Sequence, residues 1–128
     1  MNYQRHKSEE SVEDYLETIL ILSKQKPQVR SIDVATELGY SKPSVSVAMK
    51  NLRQKNYVLV SDEGYLSLTE EGLNLASTVY ERHSVISNWL ISLGVSQEVA
   101  VEDACRMEHD ISDESFAAIK KYLQDAGK

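Results

Sequence analysis

The apolar positions along the chain fall into short periodic runs separated by polar turns. Val12, Tyr15, Leu16, Ile19 and Leu20 follow the i, i+3, i+4, i+7, i+8 spacing of one helical stripe. Ser11, followed three residues later by Asp14, predicts the start of that helix, and Gln25-Lys26-Pro27 its end. Residues 1–10 are polar and aperiodic, which predicts a loose arm. Ser31 is expected to cap a short helix with Ile32, Ala35 and Leu38 inward and Gly39 as its stop. Ser41 is expected to cap the next, with Pro43 in its first turn and Val45, Ala48, Met49 and Leu52 inward. Tyr57–Val60 and Tyr65–Leu68 alternate like strands around Ser61-Asp62-Glu63-Gly64, a hairpin signature. Helix, turn, helix and hairpin in this order predict a winged helix-turn-helix.

Beyond the hairpin the pattern is helical. Thr69 caps a helix that opens with Glu70 and Glu71 and runs to about Leu93 before Gly94; Ser96 caps another to about Ile111. Ser112 caps a last helix carrying Phe116, Ile119, Tyr122 and Leu123. Three helices are too few to close a core of their own, which points to a dimerisation domain. The fold class is therefore all-α with a small β-hairpin wing. Residues 1–72 are expected to form the arm and winged helix-turn-helix domain, and residues 73–128 an α-helical dimerisation domain.

Charge changes this picture in one place. The 128-residue chain carries a formal charge of −6, yet residues 24–55 hold seven cations and two anions. A basic stretch in an acidic protein points to one face built for a polyanion. The exposed side of the second short helix shows Pro43, Val47, Lys50 and Gln54, with Ser41, Lys42 and Ser44 around its N-terminus. Asp62 and Glu63 at the wing tip make it a poor phosphate ligand. A single Cys excludes a disulfide framework. No apolar run approaches the roughly 18 residues of a membrane span, and the start lacks a signal-peptide core. The expectation is a cytoplasmic protein without a membrane partner.

Candidate chemistry centres on Cys105, Glu108 and His109, which fall at i, i+3 and i+4 of one expected helix. Thiolate, carboxylate and imidazole together suit a first-row divalent ion. His83, and Asp14 with Glu17 on a flank away from the first helix's apolar stripe, are further candidates. Each residue alone has an ordinary explanation: a small buried Cys, a satisfied core His, acids near a helix N-terminus. The converging triplet shifts the balance toward metal. A Cys105–His109 nucleophile pair would need an oxyanion hole and cleft, for which the sequence has no glycine-rich loop. An enzyme is not expected.

The runs Glu13 to Ile19, Tyr80-Glu81-Arg82-His83 and Glu102 to Glu114 resemble the diphtheria toxin repressor and manganese transport regulator family over about residues 11–123. The resemblance implies a homodimeric repressor that binds a double-stranded DNA operator when loaded with Mn(II) or Fe(II), usually at metal-uptake genes. It implies metal ligands at Asp14, Glu17, His83, Cys105, Glu108 and His109, and places Ser41, Pro43 and Ser44 against DNA. Asp14 and Glu17 look like the manganese branch and Cys105 like the iron branch. Ser87 and Val101 stand where the iron branch has ancillary ligands, and the chain ends before any SH3-like third domain. The paired acids of the first helix tilt the reading toward manganese. The rival from another class is a metal-independent winged-helix regulator sensing an organic ligand or a partner protein.

Overall fold

A computed structural model describes residues 7–126, with side chains from Ser11 onward. It divides between Ser77 and Thr78 into two compact units. Of the arm expected over residues 1–10, residues 1–6 lie outside the described residues and residues 7–10 are already helical.

The first unit begins with α1 (Lys7–Gln25), which starts a turn before Ser11 because Lys and Glu are good helix formers and nothing interrupts them. It ends two residues before Pro27, as the sequence predicts. Residues 15–20 are all buried, so the stripe of Tyr15, Leu16, Ile19 and Leu20 is only part of the covered surface. Glu17, expected on an outward flank, is 8% exposed.

Next come β1 (Val29–Arg30), α2 (Ser31–Leu38) and α3 (Lys42–Gln54). The cap of α2 is not Ser31. Arg30 occupies the cap position in extended backbone, and its N–H donates to Asp33 Oδ2 at 2.9 Å. Val34 and Ala35 are buried, whereas Ile32 is exposed. Few apolar residues in a two-turn helix do not fix its rotation, so of the expected Ile32, Ala35 and Leu38 only Ala35 is buried, with Leu38 half-buried. Gly39 ends α2 in the left-handed region at φ 72°, donating its N–H to Ala35 O at 2.9 Å. Ser41 caps α3, accepting from Ser44 N–H at 3.3 Å, and Val45, Met49 and Leu52 are buried.

Asp33 also accepts from Lys26 Nζ at 2.8 Å. The Lys26 hydrogen bond and the Arg30 N–H together hold its carboxyl below the ordinary value of 3.8. Asp33→Ala should therefore cost about 1 kcal/mol at neutral pH, the usual size of a lost cap. A lowered folded-state pKa gives stability that is present above the unfolded value and lost as pH falls through the folded one. The gap between variant and wild-type urea midpoints should accordingly close below about pH 4. A gap that persists in acid would show that the loss does not come from the ionised carboxylate.

The wing is β2 (Val58–Val60) and β3 (Tyr65–Leu68), antiparallel in the register Val58↔Leu68 and Val60↔Leu66. Instead of a plain hairpin the sheet has three strands in the order β1-β3-β2, with Val29 opposite Leu66. Two residues between Pro27 and a helix carry no alternating pattern, so β1 was invisible in the sequence. The buried Leu16, Ile19, Val29, Val34, Val45, Leu52 and Val58 belong to this unit.

The helix α4 (Glu70–Ser92) opens in the first unit and closes in the second. Thr69 holds its start three ways: its N–H donates to Tyr57 O at 3.0 Å, its hydroxyl donates to Asn56 O at 2.7 Å and accepts from Gly72 N–H at 3.0 Å. The backbones approach so closely that a Cβ on Gly72 would lie 2.1 Å from Tyr57 O.

In the second unit α4 is followed by α5 (Gln97–Met107) and α6 (Asp113–Ala126). Gly94 at φ 102° ends α4's extension, and Ser96 caps α5, as predicted. Yet α5 stops at Met107 rather than near Ile111. Asp110 N–H reaches back only three residues, to Met107 O at 3.1 Å, tightening the chain into a turn. A small core of Ile86, Ala104 and Phe116 is flanked by Val85, Leu90, Met107 and Ile111. Outside it, Leu93 and Tyr122 are 64% and 68% exposed.

Candidate metal centre and nucleic-acid face

The early end of α5 decides how its donors are displayed. Cys105 stands on the helix, Glu108 is its C-cap with near-helical backbone, and His109 belongs to the turn that follows. The three are therefore not on one helix, as the spacing had implied. The α5–α6 turn instead carries Glu108 and His109 inward, each 1% exposed, while Cys105 is exposed.

The second half of α4 supplies His83. Its Nδ1 donates to Glu108 Oε2 at 2.9 Å. Donor atoms of His83, Cys105 and Glu108 all lie within 4.8 Å of one another. Ligands each roughly 2.0–2.3 Å from a shared ion lie at most about 4.5 Å apart, so this is nearly the gathering that binding requires. Glu108 Oε1 is buried without a hydrogen-bond partner among the described residues, with His109 Nε2 3.4 Å away. A buried carboxylate oxygen facing imidazole nitrogens, next to a thiol, is a donor set suited to a divalent first-row cation. Asp14, half-buried, and Glu17, buried, stand three residues apart on α1 in the other unit.

Arg82, which sequence reasoning missed, is 8% exposed. Its Nη1 donates to Glu108 O at 3.2 Å and to Ile111 O at 2.6 Å, and Nη2 pairs with the Asp113 carboxylate. The guanidinium lies 5.4 Å from the centroid of the Phe116 ring. It thus satisfies carbonyls that the end of α5 leaves without helical partners. The only sequence signal was its place beside His83; the partners lie 26 to 31 residues further on.

On α3, Ser41, Lys42, Pro43, Ser44, Val47 and Lys50 are all exposed, Val47 at 60%. Ser41 has a structural task as the cap, and its hydroxyl donates to Ser44 Oγ at 2.8 Å. Cations of the basic stretch are engaged in the fold, among them Lys26 with Asp33, and Arg30 with its guanidinium 4.7 Å from the Tyr65 ring centroid. The polyanion face is accordingly narrower than the charge count implied. Among the described residues no helix is long and apolar enough to cross a membrane.

One unit is a winged helix-turn-helix, and the other holds a nitrogen, sulfur and oxygen donor cluster. Residues 8–66 match the iron dependent repressor N-terminal DNA binding domain, and residues 69–127 match the metal binding and dimerisation domain of the same repressors. The transcriptional regulator MntR of Escherichia coli is 36% identical over 118 residues, spanning 92% of this chain and 76% of that protein. Among solved structures, the manganese regulator SloR is similar at a TM-score of 0.78 with 31% identity, over 88% of this chain. The metal-dependent transcriptional regulator MtsR is similar at 0.82 with 27% identity, also over 88%. The chain spans about half the length of both solved regulators, 53% of each. The chain belongs to the iron-dependent repressor family, whose members are transcriptional regulators and not enzymes.

Proposed function

We propose that this chain is a metal-dependent repressor of metal-uptake genes, acting in the cytoplasm as a homodimer on a double-stranded DNA operator and activated by Mn(II) or Fe(II). The observation that carries it is the gathering of His83, Cys105 and Glu108 in a chain whose other unit is a winged helix. His109 is the fourth ligand, since its Nε2 faces the same carboxylate. Asp14 and Glu17 complete the set on the family resemblance. The bound ion supplies the positive charge that the buried Glu108 otherwise lacks. His83, on α4, and Glu108, at the end of α5, then hold one mutual arrangement. The exposed apolar side chains of Leu93, Ile91 and Tyr122 in so small a unit suit a dimer contact.

Residues 1–72 form the DNA-reading domain and residues 73–128 the metal-binding, dimerising one. In a two-fold dimer the two copies of α3 would enter successive major grooves about 34 Å apart. Ser41, Pro43, Ser44 and Val47 face base edges or their flanking sugars, and Lys42 and Lys50 face phosphates. Replacing Lys50 by Ala should lower the slope of log affinity against log salt by about one. An unchanged slope removes Lys50 from the interface.

The deciding experiment selects a DNA fragment from random sequence with Mn(II)-loaded protein, then measures its affinity with Mn(II), with Fe(II) under anaerobic conditions, and with a strong chelator. Binding is expected with either ion and lost with the chelator. Equal affinity in all three conditions overturns the proposal.

A further inference from the structure

We infer that Arg82 is the positioning residue of the metal centre: its guanidinium holds the α5–α6 turn so that the Glu108 carboxylate faces His83. The inference rests on the metal-site reading above and names a residue outside the ligand set. Glu108 N–H makes a last helical hydrogen bond, to Ala104 O at 2.9 Å, but α5 ends at Met107 and residues 108–110 form a turn, so α5 anchors only the start of the segment that carries Glu108 and His109. The grip comes from Arg82, through the carbonyl of Glu108 itself, the carbonyl of Ile111 and the carboxylate of Asp113. These three acceptors bracket the turn from its first residue to the first residue of α6.

Arg82 is also the residue before His83 on α4. One short stretch of helix therefore supplies a ligand and fixes the backbone of the ligand opposite it. A planar guanidinium with several donors suits this task, since an ammonium is a point charge and does not present the same fork. The burial of Arg82, at 8% exposed, and the Phe116 ring beside it keep the fork in one orientation. Groups that orient metal ligands through hydrogen bonds commonly affect metal affinity by about 10- to 100-fold when removed.

The test is a Co(II) titration of the full chain, read by the d–d bands and by the thiolate-to-metal absorption that Cys105 would give. Arg82→Lys keeps the charge and the apolar stem. It should bind Co(II) about 10-fold more weakly, with altered d–d band ratios, at a temperature well below its own unfolding midpoint. Asp113→Asn acts on a carboxylate whose side chain is 97% exposed and leaves both carbonyl contacts in place. It should weaken binding by a smaller factor, about 3-fold, and it carries the test if the Arg82 variant does not fold. A purely structural role would lower the unfolding midpoints without moving the affinity or the band ratios. Wild-type affinity and spectrum in whichever of the two variants is folded overturn the role of Arg82. Failure of the unsubstituted chain to bind Co(II) overturns the site reading itself.

Discussion

Glu108→Gln is expected to reduce metal affinity by at least about 100-fold while leaving the metal-free protein as stable as wild type, within about 1 kcal/mol. The reasoning starts from burial. Glu108 is 1% exposed, and its carboxylate meets the imidazoles of His83 and His109 and the Cys105 side of the cluster. Holding an ionised carboxylate away from water costs several kcal/mol unless a cation compensates it. Glutamine fills the same volume, and its carbonyl oxygen still accepts from His83 Nδ1. Packing is preserved, the relieved desolvation offsets the weaker hydrogen bond from His83, and the anionic ligand is gone. Metal titration and urea unfolding on the same sample read both halves. Undiminished metal binding would make Glu108 a structural residue, and an unfolded variant would show that the carboxylate serves packing.

The second large effect belongs to the first unit. Gly72→Ala should destabilise it by more than about 3 kcal/mol, a sizeable share of the 5–15 kcal/mol of a typical domain. Two effects oppose each other. Alanine is the better helix former by about 1 kcal/mol. The new methyl, however, would lie 2.1 Å from Tyr57 O and 3.0 Å from Tyr57 C. Backbone cannot rotate away as the end of a long side chain can. Relief requires α4 to withdraw from the end of α3, which breaks the Thr69 N–H bond to Tyr57 O and the Thr69 hydroxyl bond to Asn56 O. The overlap therefore outweighs the propensity gain. The measurement is the urea midpoint of the metal-free protein, and an unchanged or raised midpoint would contradict this account.

Much of the fold was legible because long runs carry redundant information. The stripe of α1, the Ser41 cap with Pro43 behind it, and the span of α4 from Thr69 to Gly94 each rest on several agreeing signals. Short elements failed for want of such agreement. α2 offered few apolar positions and β1 only two residues. The end of α5 was misplaced because the periodicity continues through Met107 and Ile111 while the backbone tightens into a turn over residues 108–110. Beside that turn lies the guanidinium of Arg82, a partner distant in sequence.

The candidate site divides along the same line. The residue types were readable from spacing, and the structure brings His83, Cys105 and Glu108 within one ion's reach. Their support was not readable, because hydrogen bonds from Arg82 to carbonyls leave no trace in residue type. Charge was only partly legible as well. A count of cations over residues 24–55 does not show that Asp33 and Tyr65 engage two of them.

The strand order β1-β3-β2 has a consequence for behaviour at high concentration. With β3 in the middle, the open edges of the sheet are β1 and β2, of two and three residues. Exposed strand edges recruit other chains into continuous sheets when they are long and apolar. Stacked zippers need segments of about six or seven residues. Neither edge here offers half that comfortably, even though Leu59 on β2 is 54% exposed. Each edge is cut short by a helix on one side and a proline-bearing loop or a charged turn on the other. The wing can thus project an apolar side chain into solvent without making the protein prone to fibre-like self-association.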